Sequence, residues 1–268
     1  MSPFAFEFMR HAYTAAGMVA VTAGVAGYFL VLRGQSFAGH ALGHVGFAGA
    51  AGALLFGLPP LAGLMLVSTG GGMVMGLLGE RVAERDVGIG LVLAGALALG
   101  LLFLGFFTAS ASQATALLFG NVLGVDVHTL WALLGVSLFA LVVLALIARP
   151  LLFASLQPEL AEAHGVRLRL LSVIFLGVIG LVVAGAAQVV GVLLVFSLLV
   201  APAAAAQRAT PRVLTAIALS VALALAEALG GVTLAFYTDW PASFWITALG
   251  AIFYAASFVP ERVGAFHG

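Results

Sequence analysis

His40 and His44 stand four apart in FAGHALGHVGFAG, residues 37–49, where every other position is apolar or glycine. Residues at that spacing share one face of a helix, a turn apart. Two imidazoles so placed can coordinate one divalent ion, as in helical HExxH sites, although no glutamate lies between them here. The competing reading is a neutral pair hydrogen-bonded to backbone or to neighbouring helices. Gly39 and Gly43, each one position earlier, form a small-xxx-small pair about 100° around the helix, a flat side for packing away from the imidazoles.

The surrounding chain sets the cost of keeping them. Of 268 residues, 63% are hydrophobic and only 7% are charged, with a mean hydropathy of +1.23. Soluble domains average about 25% charged residues, so the solvent here is lipid. The apolar runs are long, glycine-punctuated and without strand-like alternation, which predicts an all-α polytopic bundle and not a barrel. Spans are expected near 13–32, 38–57, 61–78, 87–107, 130–148, 169–187, 189–207, 212–236 and 242–259, with a tight turn at Gln188, in a single transmembrane domain over 1–268. The first is read as a retained span, because Glu7 and Arg10 precede a long apolar stretch with no cleavage site.

Orientation follows the arginines. An N-out, C-in arrangement places Arg33, Arg81, Arg85, Arg149, Arg167, Arg169, Arg208, Arg212 and Arg262 inside and only Arg10 outside. From Arg33 at the inner boundary, His40 and His44 then lie about 10 and 16 Å into a hydrocarbon layer of about 30 Å. Ionisable groups at that depth usually face a cavity or pathway. Segment 111–124, ASQATALLFGNVLG, is moderately apolar and either stays outside or dips back into the membrane.

Other polar residues divide by position. Glu227, in ALAEALGG, is the carboxylate set well inside a predicted span, about 22 Å beyond Arg212 at 1.5 Å per residue. It is a metal ligand, a proton acceptor, a partner to a histidine, or a protonated carboxyl held between helices. Asp126 and His128, in GVDVH, and Asp239, in YTDWPAS, fall in outer loops, solvated or forming an outer vestibule. His11, His164 and His267 are boundary or tail residues and are read as solvated. On the inner side, SLQPELAEAHGVRLR predicts a short helix that starts at Pro158, carries Glu159, Ala161 and Glu162, and closes at Gly165.

Absences narrow the function. A net charge of zero argues against a nucleic-acid surface. Cysteine is lacking, so thiolate metal sites are excluded; lysine is lacking too, so there is no Walker A loop. If ATP drives this protein, another chain binds it.

The chain resembles the permease subunits of bacterial ABC importers for zinc and manganese, the ZnuB-like group. LRGQSFAGHALGHVGFAG is similar to that family's R-x-x-SL-x-GDA-x-SHA-x-x-PG segment, LLFGN to its LFGN element, and PELAEAHGV to its coupling segment DPE-x-A-x-x-x-G. QVVGVLLVFSLLVAPAAAA resembles its VVG-x-LLV-x-ALL-x-xPAA span, and YTDWPAS its D-x-P-x-G stretch. The resemblance implies a homodimeric permease in the bacterial cytoplasmic membrane, related in fold to the vitamin B12 importer type. It also implies two cytoplasmic ATPase subunits and an extracytoplasmic metal-binding protein, with no permanently bound cofactor. The family's path residues map onto His40 and His44, and its coupling segment onto Pro158, Glu159, Ala161, Glu162 and Gly165.

Three departures stand out. His40 replaces an aspartate, Gly43 a serine and Gln157 an aspartate. Nitrogen suits zinc better than manganese, so the expected cargo is Zn2+, with Mn2+ or Fe2+ as the alternatives. A different class, an ATP-independent channel or proton-coupled transporter using Glu227, is separated from the importer by whether a Walker A ATPase accompanies the chain. A plain membrane anchor leaves the buried histidines and glutamate unexplained.

Overall fold

The computed structural model describes residues 3–78, 82–106 and 118–258. All regular structure among them is helical. The helices are α1 (Glu7–Leu32), α2 (Ser36–Leu55), α3 (Pro60–Leu77), α4 (Val82–Gly105), α5 (Val127–Leu156), α6 (Pro158–Ala163), α7 (Leu168–Val190), α8 (Val195–Ala209), α9 (Val213–Thr238) and α10 (Ala242–Ala256). The first half of segment 111–124 lies outside the described residues; its end folds as the 3-10 turn Val122–Gly124.

Each expected apolar run has a helix. By length and composition α1, α3, α5, α7 and α9 can each cross a membrane, as can residues 86–105 of α4. Helices α8 and α10 are apolar but shorter, 15 residues each.

Three helices stop where glycine permits a left-handed turn. After α1, Gly34 takes φ +62°; its N–H bonds the Val31 carbonyl at 2.9 Å, and the N–H of Gln35 bonds the Leu30 carbonyl at 2.9 Å. Gly57 closes α2 the same way at φ +70°, and Gly165 closes α6 at φ +85°. These turns satisfy carbonyls that the helix ends would otherwise leave bare.

Two boundaries differ from expectation. The turn placed at Gln188 falls at Gly191, because α7 continues to Val190 before φ reaches +95°. Helix α5 runs to Leu156, through Pro150, instead of ending at 148. The apolar residues after Pro150 still bury part of their surface, with Leu151 fully covered, which favours continuing the helix over a loop.

Helix α7 is the axis of the bundle, with 78% of its apolar window buried, against 17% for α4. It touches α3 so closely that Cβ atoms would not fit. One added to Gly72 would land on the Leu176 carbonyl, and one on Gly180 would land on the Ser68 carbonyl. Gly27 of α1 lies likewise against the Leu199 carbonyl of α8, and Gly49 and Gly63 join α2 to α3. Such approach lets backbones reach van der Waals contact, the attraction available between helices in lipid. Sparse polar bonds pin the pairings: Ser68 Oγ donates to the Leu42 carbonyl at 3.1 Å, and Gln207 Nε2 to the Tyr28 carbonyl at 2.8 Å. The outward sides of α4 and α5 are apolar, including Leu91, Leu101, Phe139 and Leu146.

This packing predicts a sharp contrast between two glycine substitutions. Gly72→Ala drives a methyl into backbone and should cost about 1–3 kcal/mol. Gly95→Ala, with open space around it, should be neutral. Thermal unfolding of the detergent-solubilised protein measures both.

Candidate functional site

Helix α2 begins right after the glycine turn at Gly34, its N-cap Gln35 almost wholly buried. His40 and His44 emerge on one side of it, both half-buried. Their ring centroids are 4.9 Å apart and their planes meet at 78°. The ring of Phe196, in the first turn of α8, packs edge-on against His40 at 5.5 Å. Among the described residues neither imidazole has a hydrogen-bond partner. Their nitrogens remain available for a ligand.

The glycine side of α2 packs as its spacing predicts. A Cβ on Gly39 would meet Leu30 of α1 and Leu199 of α8; one on Gly43 would lie 3.1 Å from the Val192 carbonyl oxygen. Packing and imidazoles thus occupy different sides of the same helix.

Glu227 sits elsewhere. It is fully buried at the junction of α8, α9 and α10, where Ser197 Oγ donates to its Oε1 at 3.2 Å. Gly250 of α10 makes room for both: a Cβ there would come within 2.5 Å of Glu227 Oε1 and 2.6 Å of Ser197 Oγ. Glu227 Oε2 has no hydrogen-bond partner among the described residues. Among the described residues no three His, Asp or Glu side chains are grouped closely enough to hold a metal, so Glu227 is not brought to the histidine pair. Ser197 and Phe196 are absent from the sequence-level candidates; the one signal is a hydroxyl inside the apolar run VFSLLV.

The outer candidates also separate. Asp126 caps α5, accepting the Thr129 N–H at 2.9 Å, and the hydrogen bonds from Thr129 hold its carboxyl below the usual carboxylate range. His128 follows, exposed. Asp239 ends α9 in the left-handed region at φ +57°. It lines a cavity of about 540 Å³ with Asn121, Phe119 and Trp240; Asp126 and His128 do not line it.

On the opposite loop, α6 starts at Pro158 and presents Glu159 and Glu162 to solvent, while Ala161 is fully buried. His164 packs edge-on against Phe153 at 5.7 Å, and its Nδ1 lies 2.8 Å from the Leu160 carbonyl. The result is a short, braced, exposed helix joining two long apolar ones.

Comparison with known proteins places this arrangement. Residues 5–261 match the ABC 3 transport family. The manganese transport system membrane protein MntC of Halalkalibacterium halodurans is 29% identical over 255 residues, covering 94% of this chain and 87% of the relative. The "Probable iron transport system membrane protein" of Haemophilus influenzae is 30% identical over 269 residues, covering 98% and 97%. The solved structure of PsaBC from Streptococcus pneumoniae in complex with Fab superposes with a TM-score of 0.84 at 27% identity, covering 94% of this chain and 91% of that one. With several membrane-crossing helices and no lysine for a Walker A loop, the chain is a multi-pass permease, with ATP hydrolysis on a separate subunit. It belongs to the ABC 3 transport family.

Proposed function

We propose that this chain forms the membrane path of an ABC importer for a divalent transition metal, manganese above all, with His40 and His44 holding the ion in transit. The observation that carries this reading is the half-buried pair, ring centroids 4.9 Å apart, with no hydrogen bond spent on either ring. Zinc, expected from the histidine standing where relatives keep aspartate, gives way to manganese because relatives along nearly the whole chain are named for manganese or iron transport.

The pathway runs between two copies of the chain, a single domain each, with the nine longer helices crossing a bacterial inner membrane N-out and C-in. The arginine distribution supports that orientation. A binding protein delivers the ion outside, near Asp239 and the cavity it lines, with Asp126 and His128 on the same rim. Inside, the exposed residues of α6, Pro158, Glu159 and Glu162, dock into the ATPase; Ala161 and Gly165 keep the helix braced. Two imidazoles suit a transport site, which must release its ion, better than a closed four-ligand cage would.

Two measurements test this. In proteoliposomes containing the permease and its ATPase, the doubly substituted His40→Ala, His44→Ala protein should lose metal uptake by about 100-fold or more while assembling normally. Wild-type uptake would sink the assignment. In the same vesicles, ATPase activity should rise more with binding protein loaded with manganese than with zinc; a larger zinc response would restore zinc as the cargo.

A further inference from the structure

A histidine that holds a metal is usually aimed by a hydrogen bond on its second nitrogen, from a carboxylate, a carbonyl or water. Neither His40 nor His44 has a protein partner of that kind among the described residues. What orients His40 is ring contact. The imidazole of His44 meets it at 4.9 Å and 78°, and Phe196 meets it edge-on at 5.5 Å and 84°. Aromatic pairs prefer such edge-to-face geometry. Of these two rings, Phe196 is the one that comes from another helix, so the aim of His40 depends on where α8 puts that ring.

Phe196 stands in the first turn of α8, which starts at Val195 after the non-helical residues 191–194. The turn has no side-chain cap. Its backbone ties are local: the Val195 N–H bonds the Gly191 carbonyl at 3.0 Å, and the Ser197 N–H bonds the Leu194 carbonyl at 3.0 Å. Bonds of that kind shape the turn without fixing how it is rotated about the helix axis. A tie that does so comes from the next side chain, where Ser197 Oγ donates to Glu227 Oε1 of α9 at 3.2 Å. Consecutive residues leave a helix about 100° apart, so holding Ser197 sets the direction of Phe196.

Glu227 suits that use. It is fully buried, and Gly250 of α10 closes on it so tightly that a Cβ there would stand 2.5 Å from Oε1. The carboxyl is therefore a fixed point to which a mobile first turn can be fastened. It is not grouped with the histidines, and its connection to them runs through one hydroxyl and one ring.

We propose that Glu227 is a positioning residue for the ion site: it holds the first turn of α8 through Ser197, and so holds the Phe196 ring that aims His40. The proposal rests on the histidine pair binding the transported cation.

The test measures binding of Mn2+ to the nucleotide-free permease with its ATPase, from loss of the free-ion electron paramagnetic resonance signal, in variants that elute as intact complexes. Phe196→Leu removes the ring edge and Ser197→Ala removes the tie; each should weaken binding by about tenfold or more. Because both act through one ring, the double variant should bind no more weakly than Phe196→Leu alone. Glu227→Gln keeps an oxygen acceptor for the Ser197 hydroxyl and should bind as wild type does, whereas Glu227→Leu should match Ser197→Ala. Ser220→Ala removes a different helix-to-helix bond, from Ser220 Oγ to the Gly24 carbonyl at 2.8 Å, and should leave binding unchanged. Losses that multiply in the double variant, a loss in Glu227→Gln, or an equal loss in Ser220→Ala would overturn the proposal. Wild-type binding by Phe196→Leu overturns it too, and leaves the histidine reading standing if His40→Ala, His44→Ala loses the ion. Wild-type binding by that histidine double variant overturns the histidine reading and this proposal with it.

Discussion

Between Phe119–Gly120 and Gly191, two stretches of backbone meet with no side chain between them. A Cβ on either glycine would overlap the other's main chain, and both take positive φ, +76° and +95°. In lipid the backbone can leave a helix only where its polar groups find other partners. Here the partners are crossed: the Leu193 N–H reaches the Leu118 carbonyl, and the Asn121 N–H reaches the Gln188 carbonyl at 3.5 Å. That contact lets α7 stop and α8 start in a new direction. On the direction of α8 depend Phe196 against His40, Ser197 against Glu227, and the Leu199 carbonyl against Gly27.

Helix α8 thus links two polar sites that side-chain chemistry alone would merge. Phe196 and Ser197 are consecutive, so they leave the helix about 100° apart. One side chain touches the histidine pair and the other hydrogen-bonds a fully buried carboxyl. The Glu227 site closes three helices together through Ser197 and the space left by Gly250. The histidine pair, by contrast, is half-open and makes no hydrogen bond among the described residues. The two sites are distinguished by what already occupies their polar atoms.

Much of this was legible in the sequence. Apolar runs of the right length located nine helices, and the glycine after His164 marked the end of the short helix, because a left-handed turn needs it. The short helix at Pro158 followed from proline's preset φ and the glycine beyond. The misplaced turn at Gln188 has a plain cause. VVGVLLV is apolar throughout, and a break held by backbone partners from a distant segment leaves no polar signature at the break itself. Helix α5 outran its expected end because the residues past Pro150 are as apolar as those before it. Nor could spacing reveal that Glu227 and the histidines lie apart, since depth along separate helices says nothing about which faces meet.

The metal shows the same limit most clearly. Counting side-chain donors favours zinc, because His40 and His44 offer only nitrogen. That count treats the backbone as spent, and in an unbroken helix it is spent, every interior carbonyl accepting a bond four residues on. At Gly191 the helix is interrupted, and the Val192 carbonyl, packed against Gly43 of α2, accepts no backbone hydrogen bond among the described residues.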